Sequence, residues 1–222
     1  MNITHHISVE TLLAYSAGTL QAPLALVVSV HLRMCDQCRT RHADALGIGG
    51  AMLEGLGGPR MPSAGLERCR VGIRERLDQA ESSTAAAATD HGGGTRDPLL
   101  RQLPTLPDRL RWRPLTRGIQ QVAVAMPGHR GNGWVRLFRF QPGVRVPHHG
   151  HHAEEFSLVL QGSYVDAIGR YSVGDLAELD GRIRHEPAVD SVVPCIALIG
   201  STAGVDFDRP LLRTVSRIIG IG

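Results

Sequence analysis

The chain has 222 residues, a formal net charge of +3 and 42% hydrophobic residues, room for one large domain or two of about 80–120 residues. All 24 basic residues are arginines and are offset by 21 acids without clustering, which argues against a nucleic-acid footprint. The longest apolar run, Leu24 to Val30, is too short to cross a membrane, and positions 1–10 lack the basic and apolar segments of a secretory signal, so a cytoplasmic location is expected. Four cysteines in that setting favour metal binding or redox chemistry over structural disulfides.

Residues 1–80 read as helical. Ser8 is a suitable N-cap, Glu10 falls in the first turn and Gly18 lies just past the end of a helix over Val9–Ala17. Pro23 suits the first turn of a second helix, in which Leu24, Val27, Val28 and His31 share a face. A third helix is expected from Asp36–Cys38 to about Leu46, where Gly47, Gly49 and Gly50 weaken it. After a breaker-rich loop at Gly55–Gly65, Leu66, Cys69, Ile73, Leu77 and Ala80 recur at helical spacing. Cys69 on that stripe is expected to be a small buried hydrophobe, its other reading being a redox partner of Cys35 or Cys38.

Residues 81–98 hold four consecutive alanines, three consecutive glycines and several small polar residues. The segment has little to bury and is expected to be a flexible linker. Beyond it the texture changes. Short runs at Gln121–Ala125, Gly133–Phe140, Glu155–Leu160, Ser163–Ala167 and Val193–Ile199 are separated by glycine and proline signals. They predict a β-sandwich or barrel of about 110 residues. The domains expected are therefore 1–80, helical, and 99–222, strand-rich, with the linker 81–98 between them.

Two constellations carry chemistry. In the first, His31, Cys35 and Cys38 are spaced four and three apart, so on a helix all three face one way. Zinc takes four ligands, commonly thiolate and imidazole, and His5 or His6 can supply the fourth. A bare redox Cys-x-x-Cys beside a core histidine is the competing reading. In the second, Gly143-x5-His149-x-His151-x3-Glu155-x6-Gly162 places two histidines two apart, on one face of a strand, with a carboxylate to follow. His185, after Gly174-x10, supplies a third imidazole. Three histidines and one glutamate hold zinc, manganese, iron or nickel. By the same period-two logic His148 and His152 point away.

The first constellation resembles the zinc-binding anti-sigma domain, a small four-helix unit that wraps an extracytoplasmic-function sigma factor and blocks its access to RNA polymerase. Position by position, the resemblance puts the zinc ligands on His6, His31, Cys35 and Cys38. The second constellation fits the first cupin motif at every fixed position. The second cupin motif is weaker, with Asp180 and Arg182 where proline and glycine are usual and Val189 where asparagine is. With the opening His5-His6-Ile-Ser and Leu12-Leu13-Ala14-Tyr15-Ser16-Ala17-Gly18, the whole chain resembles the ChrR-type anti-sigma factors, in which a cupin follows the zinc domain.

That resemblance implies a two-domain α + β protein with a cupin β-barrel. Zinc would sit at the N-terminal site and also on His149, His151, Glu155 and His185. The implied role is regulatory rather than catalytic: sigma inhibition by residues 1–80 and release on a singlet-oxygen or organic-hydroperoxide signal felt at the cupin. Cupins pair through sheet edges, so a homodimer through that domain is a further expectation. The competing expectation is a metal-dependent cupin dioxygenase with an accessory zinc domain.

Overall fold

The computed structural model describes residues 2–56, 58, 62–83, 110–131, 133–203 and 205–207. Four helices come first: α1 (Val9–Ser16), α2 (Ala22–Met34), α3 (Asp36–Gly55) and α4 (Ser63–Ser83). Ser8 caps α1, its hydroxyl accepting the Thr11 N–H at 3.2 Å, and Gly18 takes the positive φ of 70° that ends it. Pro23 opens α2 in the first turn, where a missing N–H costs nothing.

The third helix runs on to Gly55, past the end expected near Leu46. Gly47, Gly49 and Gly50 are exposed there with no neighbour within 4 Å, so they weaken the helix by about 1 kcal/mol each without stopping it. Part of the Gly55–Gly65 loop and residues 84–98 of the expected linker lie outside the described residues, and α4 occupies 81–83.

Among the described residues twelve strands follow: β1 (Arg113–Thr116), β2 (Ile119–Ala123), β3 (Trp134–Phe140), β4 (His149–His151), β5 (Glu155–Gln161), β6 (Ser163–Val165), β7 (Arg170–Ser172), β8 (Leu176–Leu179), β9 (Arg184–His185), β10 (Ala188–Val189), β11 (Cys195–Ser201) and β12 (Val205–Phe207). They form a six-stranded sheet, β1-β2-β3-β11-β5-β8, and two three-stranded sheets, β10-β6-β7 and β12-β4-β9, with antiparallel pairing throughout. The expected barrel is thus a cupin-like arrangement of three sheets whose ladders do not close into one ring. The strands on the side of the small sheets are only two or three residues long, too short to continue a ladder around.

The chain divides into two compact units, and the boundary falls inside α3. Residues up to Leu46 group with the strand-rich region, and the second unit begins at Gly47. Within the first unit, α2 lies over the large sheet. Leu24, Val27 and Val28 are fully buried in one apolar cluster with Val135, Leu137, Leu158, Ile196 and Leu198. Leu12 is buried in the same cluster, so these helical side chains serve internal packing.

In the second unit the apolar residues are uncovered. Met52 and Leu53 are each 70% exposed and Leu56 77%; Leu66, Ile73 and Leu77 on α4 are also exposed. Cys69 is exposed, correcting the expectation of a buried thiol. Its stripe has helical periodicity, but nothing among the described residues covers it.

Candidate metal centres

The N-terminal set is assembled by a break in the helix. Cys35 is the C-cap of α2, with φ −114° and ψ 105°, and Asp36 starts α3. His31 therefore sits on the last turn of α2, Cys35 in the bend and Cys38 on the first turn of α3. This differs from the single helical face expected, and the bend is what turns three side chains onto a common point. His6 arrives from the extended segment before α1, its Nδ1 lying 3.3 Å from the Cys35 Sγ and 3.6 Å from the Cys38 Sγ. The four donor atoms lie within 4.8 Å of one another. His5 is directed elsewhere, its ring 4.3 Å from that of Tyr171 and its Nδ1 3.6 Å from Asp175 Oδ1.

The donor set fits zinc. Zinc bound at about 2.0 Å to nitrogen and 2.3 Å to sulfur keeps tetrahedral neighbours about 3.3–3.7 Å apart, the range of the His6 contacts. His31 is fully buried with no well-aligned hydrogen bond at either ring nitrogen, and a coordinated cation would satisfy one of them. Burial lowers the His31 pKa to about 4, so its ring is neutral at pH 7. Burial likewise raises the Cys38 thiol to about 11, so the thiolate that zinc needs must be drawn out by the cation itself.

The second set lies between the large sheet and the two smaller ones. Strand β4 pairs with β9 so that His149 faces His185, and His151 lies two residues along β4. The Nε2 atoms converge: His185 to His149 at 3.2 Å and His185 to His151 at 3.3 Å. The opposite nitrogens fix the tautomers. The His149 Nδ1–H donates to the Pro147 carbonyl at 2.8 Å, and the His185 Nδ1–H to the Asp166 carboxylate at 2.8 Å. A carbonyl can only accept, so the Nε2 lone pair of His149 is left facing the common centre, as a metal requires. Burial first, then the His185 charge, lowers the His149 pKa to about 4.

Glu155 is buried beside this triad but does not join the converging atoms. Its Oε2 lies 3.3 Å from the His151 Nδ1, without hydrogen-bond alignment. His148 and His152 are exposed, as strand alternation predicts, and Glu154 is exposed as well. The motif glycines Gly143, Gly162 and Gly174 all take positive φ, at 75°, 69° and 91°. The Asp180 and Arg182 departures meet in an exposed turn, with Asp180 accepting from the Arg182 backbone at 2.8 Å and its guanidinium at 2.6 Å. A cavity of about 80 Å³ adjoins the triad, lined by Phe140, Tyr164, Leu179 and Cys195 among others. Burial raises the Cys195 thiol to about 12. Sequence reasoning did not identify Asp166, Asp175 or Glu178, since lone acids carry no spacing signal.

Comparison with known proteins agrees along the whole chain. Residues 102–203 match the ChrR cupin-like domain family. Anti-sigma-E factor ChrR of Cereibacter sphaeroides is 33% identical over 216 residues, 97% of each chain. The crystal structure of Rhodobacter sphaeroides SigE in complex with the anti-sigma ChrR contains a chain that superposes with a TM-score of 0.69 at 30% identity, covering 90% of this chain and 99% of that one. KdgF from Halomonas sp. is similar over 44% of this chain with a TM-score of 0.37. No helix among the described residues is long and apolar enough to cross a membrane.

Proposed function

Since the chain belongs to the ChrR family of anti-sigma factors, we propose that it binds an extracytoplasmic-function sigma factor in the cytoplasm and withholds it from RNA polymerase. The observation that carries this reading is similarity over 97% of the chain to anti-sigma-E factor ChrR, and over 90% of it to a chain of the SigE–ChrR complex. Residues 1–80 are the sigma-binding unit in this reading, 81–98 the linker and 99–222 the cupin. His6, His31, Cys35 and Cys38 hold zinc, which supplies a tie among the N-terminal extended segment, α2 and α3 and no reaction. The uncovered apolar residues of the second compact unit, Met52, Leu53, Leu56, Leu66, Ile73 and Leu77, fit an amphipathic contact with a partner groove.

The cupin is the sensory half. His149, His151 and His185 hold a second metal ion, zinc before manganese, iron or nickel, and Glu155 stands ready beside His151. Asp166 and the Pro147 carbonyl keep two imidazoles in the binding tautomer, and the adjoining cavity admits only a small molecule. Such a site suits an oxidative signal of the singlet-oxygen or hydroperoxide kind. That same cavity is what a dioxygenase reading rests on, and metal content separates the two. Two zinc ions per chain support the sensor, whereas one zinc and one iron with turnover of a small organic substrate support the enzyme.

The test is co-expression with a sigma-dependent reporter, coupled to capture of the partner on the tagged chain. Repression by the full chain, lost in Cys35→Ala and kept but no longer relieved by oxidant in His149→Ala, is the expected result. Undiminished reporter output with the wild-type chain present, and no sigma factor captured, would refute the assignment.

A further inference from the structure

We propose that Asp175 is a positioning residue of the N-terminal metal centre: a cupin carboxylate that holds the chain segment bearing His6. The proposal rests on the reading of His6, His31, Cys35 and Cys38 as a metal site.

Three of the four donors are placed by helix ends. His6 is not: it lies in the extended segment before α1, which has no secondary structure to fix it. Ordering such a segment costs backbone conformational entropy, so something must hold it if the site is to be ready for an ion. The cupin supplies the restraint. Asp175 is 0% exposed, at the turn between β7 and β8. Its Oδ1 accepts the Thr4 N–H at 2.7 Å and the His5 N–H at 2.8 Å, with the Thr4 hydroxyl at 3.2 Å. Its Oδ2 accepts the Ser172 N–H at 2.9 Å and the Ser172 hydroxyl at 3.0 Å, which locks the carboxylate to its own turn. The Leu176 N–H donates to the His5 carbonyl at 3.2 Å, extending the contact to the start of β8.

On the other side of His6, Glu178 accepts the Ser8 N–H at 3.0 Å and the Thr11 hydroxyl at 3.2 Å. His6 and Ile7 are therefore stretched between two carboxylates at one edge strand of the large sheet. A backbone held immediately before and after a ligand leaves that ligand little freedom. This is how outer groups raise metal affinity, by removing alternatives to the bound geometry. Its remaining described contacts are the His5 ring, whose Nδ1 lies 3.6 Å from Oδ1, and the Ser172 groups of its own turn.

The test uses the full-length protein with zinc or cobalt(II). Asp175→Ala is expected to lose zinc from the N-terminal centre to a competing chelator about 10–100-fold more readily than wild type. Its cobalt spectrum should keep the thiolate charge-transfer bands, while the ligand-field bands move towards those of His6→Ala. Asp175→Asn keeps one acceptor oxygen and should fall between. A chain lacking residues 2–5 removes the Thr4 and His5 partners of Asp175 without changing the cupin's own residues and should behave like Asp175→Ala; it decides the matter if Asp175→Ala does not fold. Metal content at the His149, His151, His185 triad reports the cupin fold independently. Wild-type zinc affinity and cobalt spectrum in either variant would overturn the proposal alone. Absence of thiolate–cobalt bands in the wild type would overturn the metal reading, and the role of Asp175 with it.

Discussion

Replacing Gly200 by alanine tests the seating of α2 on the sheet, the contact that joins the zinc-site helix to the cupin. Gly200 is in β11, directly beneath the start of α2. A Cβ there would stand 2.5 Å from the Pro23 carbonyl oxygen, 2.8 Å from the Val27 Cγ2 and 3.1 Å from the Pro23 carbonyl carbon. Two of these atoms are backbone, so no rotamer change relieves them, and α2 must retreat by about 0.9 Å to restore an ordinary contact near 3.4 Å. A gap of that size forfeits roughly a quarter to a half of the dispersion energy of the side chains beneath it, here the fully buried Leu24, Val27 and Val28. Overpacking of this kind costs about 1–3 kcal/mol, less about 0.4–1 kcal/mol from the stiffer unfolded chain. The net loss of about 1–2 kcal/mol should lower Tm by about 2–8 °C. Gly47→Ala, in an exposed helical position with nothing within 4 Å, should change stability in the opposite direction by up to about 1 kcal/mol. Calorimetry of the zinc-loaded proteins measures both. A Gly200→Ala protein that melts at or above the wild-type temperature would show that α2 does not rest on β11.

Asp166→Ala removes the acceptor that fixes His185 and should weaken metal binding at the histidine triad about 10–100-fold in equilibrium dialysis; full occupancy would contradict the outer-shell role. The metal-free protein should lose stability in acid with a defined sign. The folded pKa values of His31 and His149 are depressed to about 4, so below about 6.5 the unfolded chain takes up protons that the folded chain refuses. The stability is whole above pH 6.5 and is lost as pH falls towards 4, by about 3 kcal/mol per histidine. Urea titrations across that range should show the slope, and His149→Gln should reduce it; a flat profile would refute the assignment. Ile73→Asp and Leu77→Asp alter side chains that already face solvent in the isolated chain, so Tm should move by no more than about 2 °C while sigma capture falls at least about tenfold. Equal capture would move the contact surface elsewhere.

The features legible in the sequence are those with local causes. The cupin motif was readable because each of its parts answers a local demand. Gly143 and Gly162 supply positive φ, and histidines two apart on β4 share a face. The Ser8 cap and the Pro23 start were readable for the same reason. What escaped depends on distant segments. β9 and β10 are only two residues each, too short to show periodicity, and exist because they pair with β4 and β6. The apolar stripes of α2 and α4 look alike in sequence, yet one is buried by strands more than a hundred residues away while the other faces solvent. Cys35 sits in a bend that its neighbours do not announce. Asp175 reaches partners 170 and 171 residues distant, beyond any spacing rule.

The clasp also fixes the direction in which the two halves of the first compact unit influence one another. If Asp175 raises zinc affinity by some factor, linkage requires that zinc strengthen the docking of the Thr4–Thr11 segment on the cupin by the same factor. Zinc should therefore protect the cupin edge as well as the helices. Amide hydrogen exchange at Ser172 and Leu176, whose N–H groups bond to Asp175 and to the His5 carbonyl, should slow when zinc fills the N-terminal centre. A tenfold gain in affinity corresponds to about 1.4 kcal/mol and to a tenfold slowing wherever exchange proceeds by opening of this edge. In Asp175→Ala the zinc effect on Leu176 should shrink even at saturating metal, because only the Leu176–His5 and Glu178 bonds then tie the segment to β8. Undiminished zinc-dependent protection at Leu176 in that variant would mean that those bonds and the α2–β11 packing carry the coupling, with Asp175 a bystander.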